Sequence, residues 1–464
     1  MKKFMACALS TCMVAATLVG CEKTPAVNTG DGGNNGDGDN KPAVSEPKDK
    51  TIELWAFTDE VPKMVEKYQA ANPDFDWKVN VTIKGTGDGY QDALDQALMN
   101  NQVDMFAAEA AFVLKYAQGD MAKFAGAYED LGIDVAGKTA AAEIAPYTIE
   151  IGTRPSDGKL VGLGYQATGG AFIYRRSVAK ATWGDDDPAF VKEKIGGGSG
   201  SWDKYWDAAE ELKAKGYGIC SGDGDMWHAI ENSSDKGWIV DDKLYIDPKR
   251  EAFFDVSKKL KDNGYHNDTQ DWTDAWYADM KGTSEKDVLG FFGPAWLINY
   301  VIKPQAESED AVTATDWAVT ESPIGFFWGG TWVMASQAAI DNGKGEAIAK
   351  LIEYITLDDS EAGLQYAWAN GTFDGSGVGD CVASGTVMAK SKSAPDLLAG
   401  QNMFDYFIPA NASANGKNLT QYDEKINNIF RDQVRQYTAG NKSKEEAIEE
   451  FKTQVNEQLG IAID

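Results

Sequence analysis

The chain has 464 residues, more than one compact core needs, and 43 % of them are hydrophobic while 25 % are charged. These proportions predict a soluble body of two or more lobes. The formal charge of −28 argues against nucleic acid or anionic lipid as the main partner. The only histidines are His228 and His266, and no Cys-x-x-Cys pair occurs, so we predict neither a metal nor a cofactor. Cys220 and Cys381 could pair or remain free thiols.

The first residues predict export and attachment to a membrane. Lys2 and Lys3 precede an uncharged run over residues 4–20, so we predict a signal peptide over residues 1–20. The run ends in "LVGC", which resembles the lipobox of bacterial lipoproteins and marks Cys21 for lipidation. The alternative is a cysteine that lies by chance near an ordinary cleavage site. Gly, Asn and Asp dominate the stretch after Cys21, so residues 21–50 are predicted to form a lipidated, disordered tether.

From residue 51 the pattern alternates between strands and helices. "TIELWAF", "WKVNVTIK" and "VDMFAAE" predict strands, and the segments after them predict helices, among them residues 91–100 and 111–118. Alternation of this kind predicts an α/β fold with a mostly parallel sheet.

Further along, "KLVGLGYQATGGAFIYRRSVA" predicts two extended pieces around a Gly-Gly pair, and "DVLGFFG" and "GFFWGGTWVMAS" predict further extended segments. "PAWLINYVI" predicts a helix, as does the segment after Trp202, whose aromatic stripe we interpret as core. Other helices are predicted over residues 249–263, 273–280, 344–356, 360–369, 422–437 and 443–458.

The order of these segments resembles the carbohydrate-binding proteins of bacterial ABC importers, the group that contains maltose- and oligosaccharide-binding proteins. The resemblance rests on "LWAFTDEVPKMVEKYQAANPDF", "VDMFAAEAAFVLKYAQGD", "LVGLGYQATGGAFIYRRSVA", "SWDKYWDAAEELKAKGYG", "GFFGPAWLINY", "WGGTWVMAS" and "AGNKSKEEAIEEFKTQV". It covers nearly all of residues 51–464. The sequence departs from the family at Gly164, where proline is common, and in "FDGSGVGDCVASG", which replaces a Leu-Pro pair.

The resemblance implies a two-lobed, periplasmic-binding-protein-like α/β fold of type II, with a ligand cleft between the lobes. It implies one lobe formed by residues 51–166 plus 291–327 and another formed by 167–290 plus 328–464. Such lobes close on a ligand by hinge bending.

The same resemblance implies a monomeric protein that captures an oligosaccharide and delivers it to the permease subunits of an ABC importer. It would work at the extracytoplasmic face of the bacterial membrane, without binding nucleic acid and without catalysis. Two alternatives stay open. One is a binder of a cationic solute such as a polyamine, which also uses tryptophan and aspartate, and the other is a glycan-active enzyme with paired carboxylates.

Sugar recognition needs aromatic rings for the C–H face of a sugar and carboxylates or amides for its hydroxyl rim. Asp225 is the alternative to Asp223 as a ligand-binding carboxylate. Trp276 is predicted to share a helix face with Trp272, so one of the two could be core. Helix capping and core packing are the structural alternatives for the set. The candidates that lie in segments matching the family are Asp59, Glu60, Glu109, Tyr165, Gln166, Asp223, Trp227, Trp272, Trp296, Trp328 and Trp332.

Overall fold

The structure is a computed structural model that describes residue 47 and residues 49–463. The predicted signal peptide and Cys21 lie outside the described residues, as does the predicted tether except for residues 47, 49 and 50. None of the helices in the described part of the chain is both long enough and apolar enough to cross a membrane.

The strands are, in chain order, β1 (Thr51–Ala56), β2 (Lys78–Ile83), β3 (Met105–Glu109), β4 (Ala125–Gly126), β5 (Gly162–Gly164), β6 (Ala171–Arg175), β7 (Gly218–Cys220), β8 (Ile239–Val240), β9 (Lys243–Leu244), β10 (Val288–Gly293), β11 (Trp317–Thr320) and β12 (Thr331–Ser336).

The α-helices are α1 (Glu60–Ala71), α2 (Tyr90–Met99), α3 (Ala110–Ala117), α4 (Val135–Ala141), α5 (Pro146–Gly152), α6 (Arg176–Trp183), α7 (Pro188–Ile195), α8 (Asp203–Lys213), α9 (Gly224–Asn232), α10 (Pro248–Glu251), α11 (Phe253–Asn263), α12 (Asp274–Lys281), α13 (Lys303–Ala306), α14 (Gln337–Asp341), α15 (Gly345–Thr356), α16 (Leu364–Ala369), α17 (Gly385–Ala389), α18 (Phe404–Ser413), α19 (Asp423–Thr438) and α20 (Lys444–Leu459). Short 3₁₀ turns occur at Thr86–Asp88, Ala122–Phe124 and Asp396–Leu398, and a π-helical turn occurs at Leu297–Ile302.

The first sheet has the strand order β2-β1-β3-β12-β4, and β5 also pairs with β12. Strand β1 is parallel to both β2 and β3, because α1 and α2 return the chain to the same end of the sheet before each new strand begins. Strand β12 enters from far along the chain and is antiparallel to β3, β4 and β5. The buried run "MFAA" of β3 lies at the centre, which is where a continuous apolar strand is stable.

The second sheet has the order β11-β6-β10-β7. Strand β6 is antiparallel to β10 and β11, whereas β10 and β7 are parallel. Phe172 and Tyr174 on β6 point into a core that also contains residues of α8, α9, α11, α19 and α20. The predicted α/β architecture is therefore confirmed, but the predicted mostly parallel sheet is wrong, because both sheets mix parallel and antiparallel pairs.

The sheet pairing corrects the predicted division of the chain after residue 290. Residues 290–293 of β10 pair with β6, and β11 pairs with β6 as well, so these strands belong to the second sheet and not to the first. The chain returns to the first sheet only after β11, where β12 pairs with β3. Helix α15, which comes after β12 in the chain, packs against α1 and β12. The predicted placement of 291–327 in the first lobe and of all of 328–464 in the second is wrong for these elements.

Two chain segments connect the sheets, and they run side by side. One joins β5 to β6 and the other joins β11 to β12, and residues 169 and 327 form an antiparallel bridge between them. The Gly170 N–H donates to the Phe326 carbonyl at 2.8 Å, and the Trp328 N–H donates to the Thr168 carbonyl at 3.1 Å. Asn411 of α18 also accepts the Gly169 N–H at 2.8 Å. These bonds tie together the segments at which the two lobes meet.

One local feature differs from the sequence-based prediction, and another decides between two alternatives that the sequence left open. The helix predicted from "PAWLINYVI" is a π-helical turn followed by α13, a variant that the hydrophobic pattern cannot distinguish from an α-helix. Cys220 and Cys381 are both buried and both free, so no disulfide joins them.

Candidate ligand-binding site

A cavity of about 390 Å³ lies where the two sheets and their helices meet. Glu109, at the end of β3, and the first residues of α3 form one wall. Helices α9 and α19 and the residues before α12 form the opposite wall. Residues 327–329, in the second connecting segment, lie between the walls. The cavity therefore occupies the predicted cleft, and its volume is within the usual range for a small-molecule site.

Most aromatic rings at the cavity already pack on other rings. His228 stacks on Trp328 with a centroid distance of 4.5 Å, and Phe327 stacks on Tyr147 at 4.8 Å. Trp227 is 1 % exposed and lies against Phe253 in the second core. These rings form part of the cavity wall, but other protein groups cover most of their faces, so little of each face is left for a ligand.

Trp272 differs because 53 % of it is exposed. Its ring is nearly parallel to that of Trp296, at 7° and a centroid distance of 6.1 Å, and it meets the edge of Trp328 at 5.8 Å. The backbone of Trp272 has φ = 65°, a left-handed conformation that a bulky residue rarely adopts. The chain therefore holds an indole at the mouth of the cavity in a strained conformation, with surface left for a ligand.

Polar residues of the opposite wall hold one another in two separate groups. Asn427 donates from its amide to Glu231 Oε1 at 2.6 Å, and His228 Nδ1 lies 3.6 Å from Glu231 Oε2. Burial alone would raise the pKa of Glu231, but the hydrogen bond and charge of His228, aided by Arg250, lower it overall. Arg431 donates to Asp271 Oδ2 at 2.9 Å. These partners fix the side chains in position before a ligand arrives.

Two carboxyl groups of the cavity have strongly raised pKa values. Burial, with a contribution from the charge of Glu424, raises the pKa of Glu109 to about 7, although the Ala111 N–H opposes the shift. Burial also raises the pKa of Asp423 to about 7, opposed mainly by Arg250. Near neutral pH each group is present in both protonation states, so each can accept or donate a hydrogen bond.

The structure brings four of the predicted site residues to the cavity, namely Glu109, Trp227, Trp272 and Trp328. Trp296 lies behind them, where its indole N–H donates to the Trp328 carbonyl at 3.0 Å. Trp296 is therefore placed to hold Trp272 and Trp328 in position.

The other predicted residues do not line this cavity. Asp59 pairs with Lys63 at 2.6 Å on the surface, and the Tyr165 hydroxyl donates to Glu60 at 2.5 Å, with Gln166 next in the chain. Asp223 accepts from the Ser257 hydroxyl at 2.6 Å. A direct ligand contact by any of these five residues stays a prediction.

The prediction that Trp332 binds the ligand is corrected, because Trp332 belongs to the core. It is 1 % exposed, and its indole N–H donates to the Thr148 carbonyl at 3.0 Å. Trp332 lies within β12, a central strand whose residues are all buried, and the Gly-Gly pair before it reaches the cavity instead through Gly329.

Polar residues of helices α9 and α19 line the cavity, although the sequence did not predict them as ligand-binding residues. Glu231 and Asn232 end α9, and α19 supplies a row of polar side chains. The signal was present, because amide, acidic and guanidinium residues recur along one helix at spacings of three and four. Such a row also fits a solvated face, so the pattern alone does not identify a site. The polar cavity residues that the sequence-based prediction did not include, on these helices and in the loops before α12 and α19, are His228, Glu231, Asn232, Gln270, Asp271, Thr420, Asp423, Glu424, Asn427, Asn428, Arg431 and Arg435.

Metal binding receives no support from the geometry. Across residues 49–463 no three His, Cys, Asp or Glu side chains come together in an arrangement that could hold a metal ion.

Comparisons with known proteins agree with this architecture. A crystal structure of an "extracellular solute-binding protein family 1" is similar with a TM-score of 0.69 and 19 % identity, covering 88 % of this chain and 99 % of the other. The binding protein of an ABC transporter from B. animalis subsp. lactis, in complex with β-1,6-galactobiose, has a TM-score of 0.59 and 18 % identity, covering 90 % and 100 %.

The galacto-N-biose/lacto-N-biose I-binding protein of Bifidobacterium longum, in complex with lacto-N-biose, has a TM-score of 0.61 and 14 % identity, covering 90 % of this chain and 100 % of the other. No curated protein sequence matches the chain significantly. At these identities the similar structures establish the fold, which is that of two-domain solute-binding proteins with a ligand cleft.

The family itself is established by sequence. The family described as "Bacterial extracellular solute-binding protein" matches residues 63–375, which is more than half of the chain. The match includes strands β2 to β12, both connecting segments and the cavity residues up to Gly329, and it begins after β1. The predicted class of protein is thereby confirmed: the chain belongs to the bacterial extracellular solute-binding proteins, a family of binding proteins and not of enzymes.

Proposed function

We propose that this protein captures an oligosaccharide in the cavity and delivers it to the permease of an ABC importer. The observation that carries the proposal is the exposed indole of Trp272 beside a rim of carboxylates and amides. An indole face suits the C–H face of a sugar ring, and the rim suits its hydroxyl groups. The sugar complexes among the similar structures support the same class of ligand.

The energetics of such a site are sufficient for useful affinity. A dissociation constant near 1 μM corresponds to about 8 kcal/mol. One stacked ring and several hydrogen bonds to charged groups, each contributing roughly 1–3 kcal/mol, reach that value before the costs of ordering are subtracted. Binding without a chemical step is enough, so we propose a receptor and no catalytic residue.

The N-terminus complements this function. We propose that Cys21 carries acyl chains and that residues 22–50 connect the anchored cysteine to the body at the outer face of the membrane. A monomer on a long tether could bind its ligand and still dock on a permease. Mass spectrometry of the N-terminal peptide from the native host would detect the acyl chains, and an unmodified Cys21 would contradict this part of the proposal.

A thermal-shift screen followed by calorimetry tests the ligand class. Di- and trisaccharides of several linkages are compared with spermidine and putrescine, and the recovered sugars are analysed for cleavage. We expect at least one oligosaccharide to raise the melting temperature, to bind with micromolar affinity or better, and to be recovered intact. Binding of polyamines alone would favour the cationic-solute alternative, and cleaved sugar would favour the enzyme.

A further inference from the structure

The cavity contains an excess of negative charge. Its lining includes five carboxylates, from Glu109, Glu231, Asp271, Asp423 and Glu424, but only two guanidinium groups, from Arg431 and Arg435. Each guanidinium group already has a carboxylate partner. Arg431 pairs with Asp271 at 2.9 Å, and Arg435 pairs with Asp432 at 2.6 Å.

Three of the carboxylates lack such compensation. Glu231 faces His228, but Glu109, Asp423 and Glu424 form no ion pair with any residue in the described part of the chain. They approach from opposite walls, since Glu109 caps the start of α3 whereas Asp423 and Glu424 lie in the first turn of α19. Arg250 attracts Asp423 without forming an ion pair with it.

Local capping uses one oxygen of Glu109 and one oxygen of Asp423. Glu109 Oε2 accepts the Ala111 N–H at 2.8 Å, and Asp423 Oδ1 accepts the Thr420 N–H at 2.9 Å. Asp423 is only 6 % exposed, and its Oδ2 has no hydrogen-bond partner within the described residues. A buried acceptor without a partner is costly, which indicates a missing donor at this wall.

We infer that Glu109, Asp423 and Glu424 recognise a protonated amino group held between them, so that the ligand is an amino-sugar oligosaccharide with a free amine. The inference rests on the proposed function and narrows its ligand class. A neutral hydroxyl group can donate a hydrogen bond to a carboxylate but leaves the negative charge uncompensated. An ammonium group supplies both the donor and the opposite charge, whereas an acidic sugar would be repelled.

The aromatic side of the cavity explains why the ligand is a sugar and not a simple polyamine. Trp272 and Trp328 form an apolar surface next to the carboxylates, and Trp296 supports both rings from behind. A pyranose ring covers such a surface while its amine points to these carboxylates. A thin alkyl chain would leave much of the indole uncovered, and most of the stacking contribution would be lost.

Calorimetry with matched disaccharides tests the inference. In each of three series, with β-1,3, β-1,4 and β-1,6 linkages, the free-amine, N-acetylated, neutral and uronate forms are compared at pH 7. We expect the free-amine form of the bound series to bind about tenfold more tightly than the neutral form, because hydrogen bonds to charged groups are stronger. We expect the uronate form to bind most weakly.

A second readout measures proton release. An ammonium group that approaches Glu109 and Asp423 should displace protons from them, so the heat of binding should depend on the ionisation enthalpy of the buffer. Glu424→Gln should reduce the preference for the amine at least threefold. Glu457→Gln removes the same charge from an exposed position of α20 that does not line the cavity, and it should leave the preference unchanged.

The outcomes separate this inference from the proposed function. Equal or tighter binding of the neutral form would overturn the inference and leave the oligosaccharide proposal intact. Binding of spermidine with no binding of any disaccharide would overturn both, and so would the absence of any glycan ligand. A tighter free-amine form that loses its advantage in Glu424→Gln would support both.

Discussion

At the scale of single residues, Trp272 is the side chain from which we expect the largest effect on binding. It is the exposed aromatic ring of the cavity, and its neighbours Trp296 and Trp328 are partly covered by protein. Trp272→Ala removes that stacking surface and should weaken ligand binding by about 2 kcal/mol, roughly thirtyfold. Titration calorimetry with the best ligand of the screen measures this loss directly.

Two further variants make the result interpretable. Trp183→Ala removes a partly buried tryptophan at the end of α6, away from the cavity, and should leave affinity unchanged. Trp272→Phe keeps a smaller ring and should recover part of the loss. If Trp272→Ala binds as well as the unchanged protein does, Trp272 is not a ligand contact and the aromatic side of the site must be sought elsewhere.

At the scale of elements, the two connecting segments pack closely because Gly170 has no side chain where the ring of Phe326 lies. A Cβ atom on Gly170 would lie 1.9 Å from the ring of Phe326, which is fully buried in the second core. Gly170→Ala should therefore push Phe326 aside and lower the free energy of unfolding by about 1–3 kcal/mol. Urea unfolding monitored by fluorescence and by circular dichroism measures the change.

Gly87→Ala is the matched control for this prediction. Gly87 lies in the 3₁₀ turn Thr86–Asp88, and a Cβ atom there would have no neighbour within 4 Å. Gly87→Ala should raise the free energy of unfolding by no more than about 1 kcal/mol, because alanine reduces the conformational freedom of the unfolded chain. If the two variants were equally stable, the two connecting segments could move apart at Gly170 and Phe326 without a loss of stability.

The elements also show what sequence patterns can establish. The alternation in "TIELWAF" and "WKVNVTIK" predicts β1 and β2 because strand periodicity is local. The sheet that β10 joins depends on contacts with β6, more than a hundred residues earlier, so the predicted lobe boundary at 291 is wrong. Trp272 and Trp332 both come after glycine- or polar-rich loops, yet one is exposed and the other is core. Only the three-dimensional neighbours distinguish them.

At the scale of the whole molecule, several buried carboxyl groups make stability depend on pH. Burial raises the pKa of Asp225 to about 8 and that of Asp380 to about 7, in addition to the raised values of Glu109 and Asp423. In the unfolded chain these groups titrate near pH 4. Between those pH values these four groups bind more protons in the native state than in the unfolded state, so they lower native stability as pH rises. His266, whose pKa burial lowers, acts in the opposite direction but is one group against four.

The expected result is a melting temperature for the ligand-free protein that declines from pH 5 to pH 8 at constant ionic strength. Each such group contributes up to about 1.4 kcal/mol per pH unit between its two pKa values. The overall charge of −28 acts in the same direction through self-repulsion, but salt screens that effect and not the titration of buried groups. The decline should therefore persist in 0.5 M salt. Asp380→Asn, which keeps an oxygen to accept the Cys381 N–H, should make the decline shallower, and a pH-independent melting temperature would contradict the argument.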